Sequence, residues 1–233
     1  MIRGYKCGLL LMVMLCWAPV AVADPAAGTV ATPAVKTIPS PEEDYQAAQK
    51  AGKDEDLMEM GFLLRRAADR GHAQAQAEVA HLLIYGTAAK EGMEYYRKSA
   101  DQGNADGQFG LGLEYAQGNP VTKQDYVEAR KWIVLAADQG QRDAISLMAK
   151  SYVEGGLGLD EKARSGPETA KWIMRAADIN DIPAIKALIS AYQTGKYGLP
   201  VDQKKAGDMQ AKLNNLLGVK VETTTVRKSS KHR

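Results

Sequence analysis

The sequence predicts an all-α fold, namely a right-handed α/α superhelical solenoid of about five helical hairpins. Three observations lead to this prediction. A short motif recurs along the chain, small and apolar residues recur at fixed positions after each copy, and glycines close the helical stretches. A repeat of about 30 to 40 residues is typical of a solenoid, in which each unit buries its apolar face only against its neighbours.

The recurring motif is a pair of small residues, an aspartate and, two residues later, a turn residue. Its copies are Ala67-Ala68-Asp69-Arg70-Gly71, Ser99-Ala100-Asp101-Gln102-Gly103, Ala136-Ala137-Asp138-Gln139-Gly140 and the degenerate Ala176-Ala177-Asp178-Ile179-Asn180. Successive turn residues are 32, 37 and 40 positions apart. Because Gly and Asn adopt the left-handed conformation that ends helices, the motif predicts a helix end followed by a tight turn.

The columns that follow each turn residue predict the first helix of a hairpin. Position +4 is small, position +8 is apolar, position +12 is Leu or Tyr and position +15 is Gly. The residues at +4 are Ala75, Gly107, Ala144 and Ala184, and those at +8 are Val79, Leu111, Met148 and Leu188. The residues at +12 are Leu83, Tyr115, Tyr152 and Tyr192, and those at +15 are Gly86, Gly118, Gly155 and Gly195. Residues four apart share one face of a helix, so the first three columns form a buried stripe. The glycine is predicted to end this helix, and a second helix carries Tyr95, Trp132 or Trp172 as core residues.

Four segments are predicted along the chain. Residues 1–23 resemble a signal peptide, since a basic start precedes an apolar stretch and Ala21-Val22-Ala23 suits cleavage after Ala23. An uncleaved anchor and a lipoprotein are the alternatives. Residues 24–39 are predicted to be a disordered linker, 40–217 the solenoid and 218–233 a disordered basic tail. Ser40-Pro41-Glu42-Glu43 is a helix-start signal, with a cap, a first-turn proline and an acid.

Composition excludes several classes of protein. The chain has 233 residues, of which 45% are hydrophobic and 25% charged, and its formal net charge is +2. These values exclude a wholly disordered chain and a multi-span membrane protein, and they disfavour a dedicated nucleic-acid binder. Cys7 and Cys16 both lie in the predicted signal peptide. The mature chain is therefore expected to contain no disulfide, thiol nucleophile or cysteine-bound metal.

The repeat columns resemble the Sel1-like repeat (SLR) family, a relative of the tetratricopeptide repeats. The third hairpin carries the resemblance best. Its matching residues are Gly107, Gln108, Leu111, Gly112, Tyr115, Gly118, Val121, Ala129, Trp132, Ala136, Ala137 and Gly140. The resemblance implies an exported solenoid that binds proteins. Penicillin-binding activity has been proposed for members with a cysteine bridge in each hairpin. This chain cannot form those bridges, so that activity is not expected of it.

Catalytic motifs are scarce. His72 and His81 are nine residues apart, which does not place two metal ligands on one helical face. No Ser-x-x-Lys or Gly-x-Ser-x-Gly motif occurs. The acidic pairs Glu42-Glu43 and Asp54-Glu55-Asp56 lie at expected helix starts, where carboxylates complement the helix dipole. We therefore expect no catalytic residue, no metal site and no cofactor.

Binding residues of a solenoid are expected on the face of the first helices that opposes the buried stripe. At about 100° per residue, positions +3, +7, +10 and +14 lie on this face. The residues predicted to contact a partner are Glu78, His81, Tyr85, Leu113, Gln117, Lys150 and Glu154. Their mixed polar and apolar character suits a protein or peptide better than nucleic acid, although a merely solvated face is the alternative for each residue.

Three function classes follow from these features. The first is an exported, non-catalytic scaffold that mediates protein–protein interactions in the bacterial envelope, in regulation, secretion or host contact. The second is an envelope-structural protein that binds peptidoglycan, anionic lipid or a surface polymer, for instance through the basic tail. The third is a hydrolase with cryptic carboxylate chemistry. The expected location is the periplasm or the outside of the cell, and the oligomeric state is left open.

Overall fold

A computed structural model describes residues 38–219, and within them the chain forms five helical hairpins. The prediction of an all-α solenoid is confirmed. The first helices are α1 (Pro41–Lys53), α3 (Ala73–Leu83), α5 (Ala105–Gln117), α7 (Arg142–Glu154) and α10 (Ile182–Thr194). The second helices are α2 (Leu57–Asp69), α4 (Ala89–Asp101), α6 (Tyr126–Asp138), α9 (Pro167–Asp178) and α11 (Gln203–Leu216), and the short α8 (Glu161–Arg164) lies between α7 and α9.

The predicted signal peptide, nearly all of the predicted linker and residues 220–233 of the predicted tail lie outside the described residues. The helix-start signal lies inside them. The Ser40 hydroxyl accepts a hydrogen bond from the Glu43 backbone N–H at 3.1 Å, and the Glu43 carboxylate accepts one from the Ser40 N–H at 2.6 Å. This capping box, with Pro41 in the first turn, begins α1 as the sequence predicts.

The tight turns between hairpins have the predicted left-handed residue. Gly71, Gly103 and Gly140 have φ angles of 95°, 82° and 87°, and Asn180 has a φ of 66°. Asn is the residue type besides Gly that tolerates this region best. The fourth, degenerate copy of the motif therefore makes the same turn as the others.

Of the four first helices that were predicted to end at a glycine, three do so, and the prediction for Gly86 is wrong. Gly118, Gly155 and Gly195 follow directly after α5, α7 and α10 and have positive φ angles. In the second hairpin α3 ends at Leu83, before Gly86. Only residues 84–88 connect α3 to α4, so the chain must leave the helix earlier to enter the next one.

The small residues at +4 are buried where each first helix meets the preceding second helix. Ala75, Ala144 and Ala184 are at most 4% exposed. At Gly107 a Cβ atom would lie only 2.2 Å from the Ser99 hydroxyl oxygen. Ser99 replaces the first alanine of the motif, and its hydroxyl donates to the Ala73 carbonyl at 2.7 Å. The one copy with the larger Ser therefore has the smaller residue, Gly, opposite it.

The second alanine of each motif lies one residue before the end of its helix, and its carbonyl accepts a hydrogen bond from a side chain in every copy. In the first two copies a Gln at +5 donates this bond, from Gln76 to the Ala68 carbonyl at 3.1 Å and from Gln108 to that of Ala100 at 3.5 Å. The same carbonyls also accept the N–H of the turn glycine at 3.0 and 2.9 Å, so the bond from the side chain is a second one, which gives the amide of the buried Gln a partner.

The last two copies have Ile145 and Ile185 at +5, and a cation takes over the role of the glutamine. Arg175 of α9 donates to the Ala137 carbonyl at 2.7 Å. Lys212 of α11 donates to the Ala177 carbonyl at 2.6 Å. In both cases the donor belongs to the second helix of the following hairpin, so the bond joins successive repeats.

The core aromatics are placed largely as predicted. Tyr95 and Trp172 are 5% and 3% exposed, whereas Trp132 is half-buried. Trp172 stacks on Tyr152, with 6.5 Å between the ring centroids, and the Arg175 guanidinium lies 4.5 Å from the Trp172 ring centre. Tyr95 and Trp172 therefore fill the interior between helices, as the sequence predicts, and Trp132 does so in part.

A buried ion pair joins the two helices of the leading hairpin. Asp44 is 1% exposed, and its carboxylate accepts hydrogen bonds from Arg66 at 2.6 and 2.9 Å and from Arg70 at 2.9 Å. These guanidinium groups hold the pKa of Asp44 below its ordinary value. The ionised carboxylate therefore stabilises the hairpin above the ordinary pKa range of Asp, and this stabilisation is lost as the pH falls through the lowered pKa.

The close approach at Gly107 can be tested by adding a single methyl group. Gly107→Ala is expected to lower the free energy of unfolding by about 1–3 kcal/mol, the usual cost of overpacking a core. Gly207→Ala is the matched control, because a Cβ atom there meets nothing within 4 Å. It should be neutral or stabilise α11 by up to about 1 kcal/mol. Urea denaturation of both variants measures the difference, and an equal loss in both would contradict the packing account.

Candidate functional site

Successive first helices are linked by a row of hydrogen bonds between side chains. The Tyr45 hydroxyl of α1 donates to Glu78 of α3 at 2.7 Å. Gln74 of α3 donates to Asp106 of α5 at 3.0 Å, and Gln141, which caps α7, donates to the same carboxylate at 3.4 Å. Four hairpins are thus joined along one side, which we call the first-helix surface. It is formed by the exposed faces of α1, α3, α5 and α7.

The predicted binding residues lie on or beside this surface. His81 and Tyr85 are exposed, and Tyr85 lies just beyond the end of α3 with 74% of its surface accessible. Leu113 is half-buried and Gln117 exposed on α5, and Lys150 and Glu154 are exposed on α7. Glu78 is half-buried, and its carboxylate accepts a hydrogen bond from Gln49 of α1 at 3.2 Å in addition to the one from Tyr45. Its hydrogen bonds link α1 to α3.

A groove opens between α3 and α5, with a cavity volume of about 460 Å³. Three of the predicted residues, Glu78, His81 and Leu113, line it together. The other lining residues are Met60, Leu64, Gln74, Ala77, Leu82, Tyr96, Asp106, Phe109, Gly110, Gln141 and Asp143. We call this the α3–α5 groove.

A second groove of about 280 Å³ lies between α7 and α10 and contains two more of the predicted residues, Lys150 and Glu154. Its remaining walls are Ser146, Leu147, Ala149, Val153, Asp181, Pro183 and Ala184. Tyr85 and Gln117 line neither groove. The structure therefore divides the predicted surface into two separate concavities, with Tyr85 and Gln117 at the ends of their helices.

Several lining residues of the α3–α5 groove were not among the predicted ones. Asp106 and Asp143 occupy position +3, which the helical register places on this face. Met60 and Leu64 come from α2, and the pattern of the first helices alone gives no signal for them. Tyr96 enters the groove from α4, because Gly110 leaves room for its ring: a Cβ atom at Gly110 would lie 2.1 Å from it.

The electrostatic environment of the groove is visible at two tyrosines. Burial raises the pKa of Tyr96, and the carboxylates of Glu114 and Asp106 and the nearby Tyr85 raise it further. Burial also raises the pKa of Tyr45, together with its hydrogen bond to Glu78 and the charges of Glu78, Glu42 and Asp106. Ionisation of both hydroxyl groups is therefore disfavoured, and that of Tyr45 donates to Glu78.

His81 lies between two aromatic rings at the mouth of this groove. Its Nδ1 atom is 3.4 Å from the Tyr96 hydroxyl, and its ring meets Tyr85 edge-on with 5.9 Å between the centroids. The arrangement presents an exposed aromatic edge with a polar tip, which is the kind of group that anchors protein interfaces.

Residues 38–219 provide side chains that can make binding contacts. In this part of the chain no three His, Cys, Asp or Glu side chains are grouped so that they could hold a metal ion. No helix there is long and apolar enough to cross a membrane. The grooves contain amide, carboxylate, hydroxyl and apolar groups, which can bind a partner by hydrogen bonds, charge and contact.

Comparison with known proteins identifies the repeat. The family model of the Sel1 repeat matches residues 73–104, 105–141 and 187–207. The first two matches cover the second and third hairpins, and the last covers part of the fifth. No curated protein matches the chain.

Solved structures share the fold. A Sel1 repeat protein from Oxalobacter formigenes is 26% identical, with a TM-score of 0.62, and the match covers 74% of this chain and 70% of that one. A protective antigen of uropathogenic Escherichia coli strains, which displays an SLR fold, is 24% identical with a TM-score of 0.59. That match covers 78% of this chain and 42% of the antigen.

Proposed function

Because the chain is a Sel1-like repeat protein, we propose that it is a non-catalytic scaffold whose first-helix surface binds a protein or peptide partner. One observation carries the proposal: the first helices α3, α5, α7 and α10 present two grooves, one between α3 and α5 and one between α7 and α10, and Tyr85 is exposed just beyond the end of α3. A repeat array can contact one extended partner at several successive repeats.

The two grooves support a peptide or protein better than a small metabolite. Both are open, and their walls combine apolar side chains with a few carboxylates and amides. Interfaces of this composition gain most of their affinity from a few aromatic or apolar anchors surrounded by polar residues. Tyr85 and Leu113 are the best anchors, since one is a large exposed ring and the other lines the α3–α5 groove.

We further propose that the protein acts in the bacterial envelope, either in the periplasm or outside the cell. The order of basic, apolar and small residues in positions 1–23 supports export and cleavage after Ala23. Regulation, secretion and host contact are the roles that an exported scaffold would serve. An envelope-structural role through the basic residues of positions 218–233 is the alternative.

Export can be tested directly. Amino-terminal sequencing of the protein recovered from a periplasmic fraction should begin at Asp24. A protein that begins at Met1 and remains with the membranes would contradict cleavage and favour an uncleaved anchor.

Binding through the first-helix surface is tested by a double variant, Tyr85→Ala with Leu113→Ser. We expect capture of the partner from envelope extract to fall at least tenfold, with a melting temperature close to that of the parent. Tyr85 is largely exposed and Leu113 half-buried, so little core packing is lost. Once a captured partner has been identified, its binding to the parent and to the variant is quantified with purified proteins.

The control for this test is Lys90→Ala with Val127→Ser on α4 and α6, where both side chains are exposed. Arg97 and Arg130 are unsuitable as controls, because Arg97 donates to the Tyr115 hydroxyl and Arg130 to the Leu157 carbonyl. If the control pair abolishes capture and the first-helix pair does not, the partner binds elsewhere. Retention of the protein on peptidoglycan, lost with residues 218–233, would support the structural role instead.

A further inference from the structure

The α3–α5 groove has an apolar floor that no other part of the described chain covers. Met60, Leu82, Phe109 and Leu113 contribute aliphatic and aromatic walls. Leu82 is 64% exposed although it is a large aliphatic residue. Exposed apolar residues that are rimmed by polar ones mark interaction surfaces more often than chance.

The rim of this groove carries three carboxylates, and His81 is the one basic side chain among its lining residues. Among its lining residues within the described chain, the acids are Glu78, Asp106 and Asp143, and neither Lys nor Arg occurs. The second groove differs, because Lys150 lies among its walls beside Glu154 and Asp181. Negative charge is therefore concentrated at one of the two grooves.

The hydrogen-bond partners of Glu78 and Asp106 are neutral groups. Glu78 and Asp106 accept hydrogen bonds from a tyrosine hydroxyl and from glutamine amides, which are neutral donors. None of the three forms a salt bridge within residues 38–219. Neutral donors orient a carboxylate without cancelling its field, so the negative potential remains available to a cationic ligand.

We propose that the α3–α5 groove binds a basic, apolar segment of a partner protein, with Lys or Arg side chains at the carboxylates and a neighbouring aliphatic side chain on the apolar floor. This inference rests on the proposed function and adds the chemistry of the partner. It uses both features of the groove, since a purely apolar segment would leave the carboxylates to be desolvated without a partner, which is costly.

The raised pKa values of Tyr45 and Tyr96 agree with this chemistry. After burial, which is the largest cause of both shifts, the charge of Asp106 contributes to both, and Glu78 contributes to that of Tyr45. A negative field that disfavours ionisation of a tyrosine hydroxyl also favours a positive charge in the groove.

The test uses the full mature chain and three fluorescein-labelled nonapeptides. In the first Lys alternates with Leu, in the second Glu replaces each Lys, and in the third Ser replaces each Leu. We expect the Lys–Leu peptide to bind at least tenfold more tightly than either of the others by fluorescence anisotropy. Its affinity should fall as the salt concentration rises, because exposed charge pairs are screened.

Charge variants identify the groove as the place of binding. Asp143→Asn and Asp106→Asn are each expected to weaken the Lys–Leu peptide about two- to fivefold, the effect of one exposed ion pair. Asp143 is the cleaner site, because Asp106 also links α3 to α5 and α7. Glu94→Gln on α4, where the side chain is exposed, is the control and should leave binding unchanged.

Three results would overturn the inference. If the Glu–Leu peptide bound as tightly as the Lys–Leu peptide, the groove would not select for positive charge. If Glu94→Gln weakened binding as much as Asp143→Asn, the peptide would be attracted to acidic surfaces in general. A tenfold gain in affinity on deletion of residues 220–233 would show that the chain's own basic tail occupies the groove. In each case the capture test with Tyr85→Ala and Leu113→Ser decides the proposed function separately.

Discussion

The whole array depends on the close approach between the start of each first helix and the end of the preceding second helix. The small residue at +4 sets this distance, and Gly107 against Ser99 shows how little room is left. Because this approach is repeated at each junction between hairpins, it determines how far apart successive first helices lie. The row of hydrogen bonds from Tyr45 through Glu78 to Asp106 spans that distance and could not form at a wider one.

The chain satisfies one structural requirement in two ways. The carbonyl of the second motif alanine accepts a hydrogen bond from a Gln on the first helix of the next hairpin in the early copies, and from Arg175 or Lys212 on the second helix of the next hairpin in the late ones. The late arrangement lets Ile145 and Ile185 enter the core, where they are 5% and 0% exposed. Each cation also makes its repeat depend on the following one, which is the neighbour coupling expected of a solenoid.

The hairpins and their turns could be predicted from the sequence, because they follow from local rules: a helical period, a left-handed turn residue and a cap. Gly86 is an exception to these local rules. The connection from α3 to α4 is short, so α3 ends at Leu83, before the glycine. The grooves were predicted only in part. Register placed Glu78, His81 and Leu113 on one face, but the walls from α2 and α4 arise by packing between hairpins, which no single helical pattern encodes.

A distance measurement between repeats tests the central claim, that the packing at Gly107 sets the spacing of the hairpins. Nitroxide labels are attached to cysteines introduced by Lys98→Cys on α4 and Lys171→Cys on α9. The labelling is specific once Cys7 and Cys16 are replaced, because the sequence has only these two cysteines. Double electron–electron resonance should give one narrow distance, which Gly107→Leu lengthens or broadens and Gly207→Leu leaves unchanged. An unaltered, narrow distance in Gly107→Leu would contradict the account.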